Sequence, residues 1–282
     1  MRTFTSQIPR EVARAYGHAT VAICERGTYQ APSGRTVDIR AEIAWAVQGT
    51  AAYPQDVPLP TMARGPHTTA IEVTNETTLS AATRMQAQGL STVALNFASA
   101  TSPGGGFLSG ARAQEEYLAR SSCLYACIRD NPLYAFHRAQ NDPFYTDYLL
   151  YSPAVPVIRD DDGVLLEQPY FLSIITAAAV YASHVPQARR AEITGVMWQR
   201  ILKVLAAGVA HGHDAIILGA WGCGAFGNDG NEIARLFHTA LDENLRGAYR
   251  KVVFEIVDWS VEQRFIGPFE EVFGFSAKAV SG

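Results

Sequence analysis

The apolar residues of the second part of the chain form short runs separated by longer amphipathic segments. The clearest run, Thr92–Phe97, is almost continuously apolar, which is typical of a strand covered on both faces. The same pattern predicts further strands at residues 69–73, 148–152, 170–176, 215–218 and 251–257.

Helical segments alternate with these strands. Asn75 is a candidate N-cap for a helix that reaches Gln88, and Gly89 suits the position just beyond its end. Further helices are predicted from Glu115 to about residue 129, from 185 to about 211 and from about 231 to 243. Alternating strands and helices around an apolar sheet predict a three-layer α/β/α fold.

The first 66 residues have a different pattern, and we predict that they form an accessory region. Two helices, Ile8–Arg26 and Ile39–Gln48, are expected to flank a hairpin over Gly27–Asp38. Four prolines between Pro54 and Pro66 exclude a regular element there. We therefore expect a mostly helical extension at residues 1–66 and the α/β core at residues 67–282.

Composition narrows the function classes. The chain has 282 residues, 48% of them hydrophobic and 18% charged, with a formal net charge of −4. This balance provides no general basic field, so direct nucleic-acid binding is not expected, and a polyanionic ligand would need local groups such as backbone amides. The four cysteines do not have the spacing of a zinc site, so we expect neither a metal nor a cofactor. Neither a leader peptide nor a membrane span is evident in the sequence, so we expect a cytoplasmic protein.

A triple glycine, Gly104–Gly106, precedes a predicted helix that opens with Gln114, Glu115 and Glu116. Glycine allows a backbone to approach a ligand closely, and a helix N-terminus favours anions. Acidic residues in a first helical turn can simply complement the helix dipole. Beside a glycine loop they indicate acid–base chemistry next to a phosphate-bearing ligand.

The two glutamates are predicted to do different work. Adjacent helical residues point about 100° apart, which does not suit a facing pair across one glycosidic bond. One carboxylate would be a general acid/base and the other would hold substrate hydroxyls. Asn96 ends a predicted strand, at the sheet edge where α/β proteins bind ligands, and it could contact a sugar hydroxyl, although a turn-forming role is also open.

A second strand–glycine loop–helix unit spans Gly219–Asp229. Its amides could wrap a diphosphate, and Phe226 between small residues could shape a sugar pocket. Asn228 and Asp229 could be ligand contacts, or they could cap the following helix. Cys223 could be a nucleophile in principle, but no histidine is linked to it by a motif.

Gly-Gly-Gly, seven residues and Gln-Glu-Glu together resemble the signature of poly(ADP-ribose) glycohydrolases, whose core is a macrodomain with a central mixed sheet. Residues 96–125, 221–228 and 72–79 are similar to the bacterial-type branch. The resemblance implies that Glu116 is the catalytic acid/base, that Glu115 holds ribose hydroxyls and that Gln114 supports both. It also implies contacts of Asn96 and Gly104, Gly105 and Gly106 with the distal ribose, and of the diphosphate loop with the ligand (Gly222, Cys223, Gly224, Ala225, Phe226, Gly227 and Asn228).

The implied reaction is hydrolysis of ribose–ribose O-glycosidic bonds in poly(ADP-ribose) through an oxocarbenium-like state, with release of ADP-ribose. The expected partners are polymer-modified proteins, and the expected oligomeric state is a monomer. The expected role is the recycling of polymer after stress such as DNA damage. Two alternatives stay open: a reader that binds ADP-ribose without cleaving it, and a hydrolase of mono-ADP-ribosyl adducts.

Overall fold

The protein is described from a computed structural model, which covers residues 8–55, 57 and 64–274. The described chain divides into two compact units. The first unit takes in residues up to Tyr53, Asn96–Ala139 and Tyr148–Ala177, and the second takes in Pro54–Leu95, Gln140–Asp147 and the chain from Ala178 onward.

The strands form a two-stranded and a seven-stranded sheet. They are β1 Thr28–Gln30, β2 Thr36–Asp38, β3 Ala51–Tyr53, β4 Ala70–Thr74, β5 Thr92–Phe97, β6 Leu149–Arg159, β7 Leu165–Ala177, β8 Ala215–Leu218 and β9 Lys251–Glu255. The larger sheet has the order β3-β6-β7-β5-β8-β9-β4. Its β5, β8, β9 and β4 run parallel, whereas β3, β6 and β7 pair antiparallel, which confirms the mixed α/β class.

The helices are α1 Arg10–Arg26, α2 Arg40–Gln48, α3 Thr78–Ala87, α4 Gln114–Ser121, α5 Leu124–Ile128, α6 Pro132–Gln140, α7 Ile193–Ala210, α8 Gly230–Thr239 and α9 Gly267–Phe273. Short 3-10 turns occupy 107–109, 182–184 and 187–192, and α8 continues as a π-helical turn over 240–244. By length and composition the stretch Gln187–Ala210 could cross a membrane, but core helices share these properties and half of the stretch is buried.

The hairpin predicted within residues 27–38 is confirmed by the antiparallel pairing of β1 and β2. Strands β5 and β8 have their predicted bounds. Strands β6 and β7 are longer than predicted, and β3 was missed because three residues next to a proline-rich segment carry no recognisable alternation.

The predicted N-cap at Asn75 is wrong. Thr77 caps α3, since its hydroxyl accepts a hydrogen bond from Ser80 N at 3.1 Å. The Asn75 amide instead donates to the Asp258 carbonyl at 2.7 Å. Gly89 does lie just past the helix end with a left-handed φ of 74°, as predicted.

The predicted helix over residues 115–129 is interrupted. Helix α4 ends at Ser121, and Ser122 adopts an extended conformation and bridges to Val157 in β6. The Cys123 N–H then donates to the Pro156 carbonyl at 2.9 Å. Tertiary pairing with β6 therefore overrides the local helical preference and separates α4 from α5.

Within the first unit, α1 braces the segment that carries the Gly-Gly-Gly motif. Gly17 lets α1 approach the 107–109 turn so closely that a Cβ would lie 3.0 Å from the Phe107 carbonyl oxygen. The buried Thr20 hydroxyl donates to the Arg120 carbonyl at 2.6 Å, and Arg10 donates to the Ser109 carbonyl at 2.9 Å. The N-terminal region thus supports the glycine loop and α4 from one side.

Candidate active site

The Gln-Glu-Glu motif forms the first turn of α4, where negative charge interacts favourably with the helix dipole. Glu115 is 4% exposed and Glu116 is 9% exposed. Gln114 accepts a hydrogen bond from the Phe97 N–H at 2.9 Å, which ties the start of α4 to the end of β5. The sequence thus places two carboxylates in the interior beside the carboxyl end of a central strand.

Glu115 is held by the loop that follows β5. Its Oε2 accepts from the Ser99 N–H at 2.6 Å, and its Oε1 is buried with no hydrogen-bond partner in the described part of the chain. Burial raises the pKa of Glu115 well above its ordinary value and the Glu116 carboxylate adds to this, while the Ser99 N–H, the Asn96 side chain and the Gly104 N–H act in the opposite direction.

Glu116 is held by the glycine loop. Its Oε1 accepts from the Gly106 N–H at 2.9 Å, whereas its Oε2 is buried and has no hydrogen-bond partner within residues 8–55, 57 and 64–274. One oxygen is therefore fixed by the backbone and the other is available for chemistry.

Gly105 explains why this loop requires glycine. Its φ is +59°, and a Cβ on it would lie 2.3 Å from Glu116 Oε1 and 2.9 Å from Glu115 Oε2. The two side chains leave α4 in different directions but converge on this one residue. The structure brings Gln114, Glu115, Glu116 and the triple glycine together, as the sequence analysis expected.

The backbone N–H groups of two loop glycines donate hydrogen bonds to acceptors within the protein. Gly105 N–H donates to the Ser102 carbonyl at 2.9 Å, and Gly106 N–H donates to Glu116. Gly104, with φ +70°, lies against the Phe107 ring. The loop therefore positions the carboxylates, and its contact with a ribose stays a prediction.

Asn96 lies at the end of β5 and is fully buried. Its side-chain amide donates to the Thr176 hydroxyl at 3.3 Å, and its Oδ1 is buried with no hydrogen-bond partner among the residues described. A turn-forming role for Asn96 is excluded because the residue is within the strand.

The second unit contains the Gly219–Asp229 loop between β8 and α8. Asn228 closes it, because its amide donates to the Gly222 carbonyl at 3.1 Å and to the Val180 carbonyl at 2.8 Å. Gly222, with φ +76°, has no room for a Cβ, which would lie 2.6 Å from both Ala179 and Asn228. Gly224, Ala225 and Gly227 are exposed at the tip of the loop.

Two other residues of this loop have structural roles. Asp229 caps α8 and accepts from Asn231 N at 2.8 Å and Glu232 N at 3.1 Å. Burial raises the pKa of the Cys223 thiol to about 12, with a smaller contribution from Asp229, which disfavours a thiolate nucleophile.

Phe226 lies in an aromatic cluster that sequence patterns did not reveal. Its ring stacks on Tyr181 with centroids 4.8 Å apart, and Tyr145 approaches to 6.4 Å. The Phe226 carbonyl also accepts from Ser183 N at 3.0 Å. Tyr145 has a φ of +53°, which is unusual for an aromatic residue, but a positive φ in a non-glycine residue leaves no clear trace in a sequence.

The mixed seven-stranded sheet and the buried carboxylates define a macrodomain-like hydrolytic enzyme. The chain belongs to the microbial-type PARG family, because residues 17–160 match the model described as "Microbial-type PARG, catalytic domain". The comparison with curated proteins found no match.

Solved structures of similar proteins agree with this assignment. The poly(ADP-ribose) glycohydrolase from Thermomonospora curvata is 46% identical with a TM-score of 0.89, and the match covers 93% of this chain and 100% of that one. A structure of the same enzyme bound to the inhibitor ADP-HPD has a TM-score of 0.85 at 45% identity, covering 93% and 99% of the two chains. The Deinococcus radiodurans enzyme in complex with ADP-ribose is 36% identical with a TM-score of 0.76, covering 82% and 96%. The chain is therefore a poly(ADP-ribose) glycohydrolase, a glycosidase of bacterial type.

Proposed function

We propose that this enzyme cleaves the ribose–ribose O-glycosidic bonds of poly(ADP-ribose) with Glu116 as the general acid/base. The observation that carries the proposal is the buried pair of carboxylates converging on Gly105, each of which keeps one oxygen without a hydrogen-bond partner among the described residues. Burying two carboxylates is costly, and a protein that only binds an anionic ligand gains nothing from it.

In this mechanism Glu116 begins protonated. Its Oε2 donates the proton to the departing ribose oxygen while the bond from that oxygen to the anomeric carbon breaks, leaving an oxocarbenium-like ribose. The Glu116 carboxylate then takes a proton from a water molecule as that water attacks the anomeric carbon. The hydrogen bond from Gly106 N–H keeps Oε1 in place throughout, so that only Oε2 exchanges protons.

The remaining residues are proposed to hold substrate. Glu115 accepts hydrogen bonds from ribose hydroxyls, and Asn96 Oδ1, buried and unpartnered, accepts another. The exposed tip of the 219–229 loop binds the diphosphate through backbone amides. Phe226, fixed by the stack with Tyr181, packs against the distal ribose.

We also propose where in the cell the enzyme acts. All four cysteines are free thiols, which suits a reducing cytoplasm. There the enzyme would act on polymer-modified proteins and return ADP-ribose after stress such as DNA damage.

Parallel release assays test the choice of substrate. Purified poly(ADP-ribose) and a mono-ADP-ribosylated protein are supplied at equal concentrations of ADP-ribose units, and free ADP-ribose is measured over time. The proposal predicts rapid release from polymer and much slower release from the mono-modified protein. Equal or faster release from the mono-modified protein would assign the enzyme to those adducts, and binding of ADP-ribose without release from either would make it a reader.

A further inference from the structure

Helix α6 packs on the loop that carries the hydrogen-bond donor of Glu115. His137 Nδ1 lies 3.2 Å from the Ala100 carbonyl oxygen, and Arg138 donates to the Thr101 carbonyl at 2.5 Å. These two contacts fix α6 immediately beside Ser99, whose N–H holds Glu115 Oε2.

Tyr134 lies one turn before these two residues on the same helix, so it faces the same loop. It is 2% exposed, and its hydroxyl is buried without a hydrogen-bond partner among the residues that the structure describes. A buried hydroxyl without a partner is unfavourable for folding, and phenylalanine would fill the same space without that cost. Packing alone therefore does not explain a tyrosine here.

A complementary atom lies on the other side of this contact. Glu115 Oε1 is a buried acceptor that, over the same described residues, also has no hydrogen-bond partner. Burial, and to a smaller extent the charge of Glu115, raise the pKa of the Tyr134 phenol. The phenol is thus a buried hydrogen-bond donor on the helix that packs against the loop holding Glu115.

We propose that Tyr134 is a positioning residue for this reaction, which acts by donating a hydrogen bond to Glu115 Oε1 when the substrate ribose engages the carboxylate. It acts through Glu115 because its helix packs on the loop that holds Glu115 Oε2. The inference rests on the proposed function of Glu115, and it adds a residue that lies outside the Gly-Gly-Gly and Gln-Glu-Glu motifs.

Tyr134→Phe removes only the hydroxyl, which makes it the direct test. We expect kcat for ADP-ribose release from poly(ADP-ribose) to fall about tenfold, the effect of one hydrogen bond to a charged group, with KM and the affinity for ADP-ribose little changed. We also expect Tm to stay the same or to rise, because an unpartnered polar group is removed. Unchanged kcat, or a loss of kcat that merely follows a lower Tm, would overturn the proposal.

Tyr249→Phe is the matched control. Tyr249 is fully buried in the second unit, and its hydroxyl donates to the Leu205 carbonyl at 2.5 Å. This variant should lose stability and keep its kcat, the opposite pattern to Tyr134→Phe.

A double-mutant cycle tests whether the effect passes through Glu115. With enzyme in excess over polymer, so that slow variants still release measurable ADP-ribose, Tyr134→Phe should cause little further loss in a Glu115→Gln background. A further tenfold loss there would contradict the route through Glu115. If the wild type released no ADP-ribose, the proposed function and this inference would fail together, whereas an active wild type with an equally active Tyr134→Phe would overturn the inference alone.

Discussion

At the residue scale, the site depends on how one glycine lies against two acids. Gly105 has a left-handed backbone and stands where any side chain would collide with Glu116 and Glu115. The neighbouring Gly106 amide then holds one oxygen of Glu116. In the proposed mechanism the backbone therefore leaves Oε2 of Glu116 as the oxygen that moves a proton.

Gly105→Ala should inactivate the enzyme. The new Cβ would displace Glu116 Oε1 from a position 2.3 Å away, and a displacement of about 1 Å at a catalytic group costs about 100-fold in rate. The left-handed backbone adds about 1–2 kcal/mol of destabilisation. Release of ADP-ribose and urea unfolding measure the two effects.

Gly34→Ala is the control for Gly105→Ala. Gly34 has a φ of +83° and nothing within 4 Å of a Cβ, so it carries the same backbone cost without a collision. A Gly105→Ala enzyme as active as Gly34→Ala would contradict the proposed contact between this loop and the carboxylates.

Glu115 should make stability depend on pH. Because its pKa in the folded protein is raised above its ordinary value of 4.5, the folded state binds the proton more tightly than the unfolded state. Its contribution to stability is complete below pH 4.5 and is lost as the pH rises through the raised pKa. Glu115→Gln removes the titrating carboxyl and with it this pH-dependent loss of stability. The Tm of the variant minus the Tm of wild type should therefore increase from about pH 5 to about pH 8. A constant difference in Tm across this range would show that Glu115 is not held in a state of raised pKa.

At the scale of elements, the carboxylates depend on a helix from the N-terminal region. Helix α1 approaches the 107–109 turn at Gly17 and bonds to α4 through Thr20. A local pattern shows that such a helix exists, but its packing partner lies about 100 residues away in sequence, and nothing in the pattern of α1 specifies it.

Thr20→Val should weaken this brace. The substitution keeps the shape but removes two buried hydrogen bonds, the one that the hydroxyl donates to the Arg120 carbonyl and a longer one, 3.4 Å, that it accepts from Arg159 Nε, at a cost of about 1–3 kcal/mol in unfolding free energy. Thr83→Val is the control, because the Thr83 hydroxyl bonds only to the Leu79 carbonyl of its own helix. Equal and small changes in urea unfolding for both variants would contradict a bracing role for α1.

Sequence patterns predicted the elements better than their ends. The β5 run and the β1–β2 hairpin were found because continuous apolar residues and a Pro-Ser-Gly turn are local signals. The break at Ser122 was missed because it results from pairing with Val157, which is distant in sequence. The Gln-Glu-Glu motif is also a local signal, and it identified Glu115 and Glu116. Only contacts with residues distant in sequence revealed the roles of Ser99, Tyr134 and Tyr181.

At the scale of the whole molecule, the mixed seven-stranded sheet and the family assignment agree with the fold expected from alternating strands and helices. The division into an accessory region at 1–66 and a core at 67–282 stays a prediction. The edge strand β3, from the N-terminal region, pairs with β6 in the main sheet, and the compact units cross residue 66. The central claim, that a glycosidase mechanism operates through one buried glutamate, concerns the chain as a complete enzyme.

The most direct test is ADP-ribose release from purified poly(ADP-ribose) by wild type, Glu116→Gln and Glu11→Gln, with ADP-ribose affinity measured for each. Glu11 is a matched control, since it also lies in the first turn of a helix but is exposed. We predict that wild type and Glu11→Gln release ADP-ribose, that Glu116→Gln is slower by a factor of at least about 100, as expected for loss of a general acid/base, and that all three bind ADP-ribose. Release by Glu116→Gln at the wild-type rate would contradict the assignment of Glu116 as the acid/base.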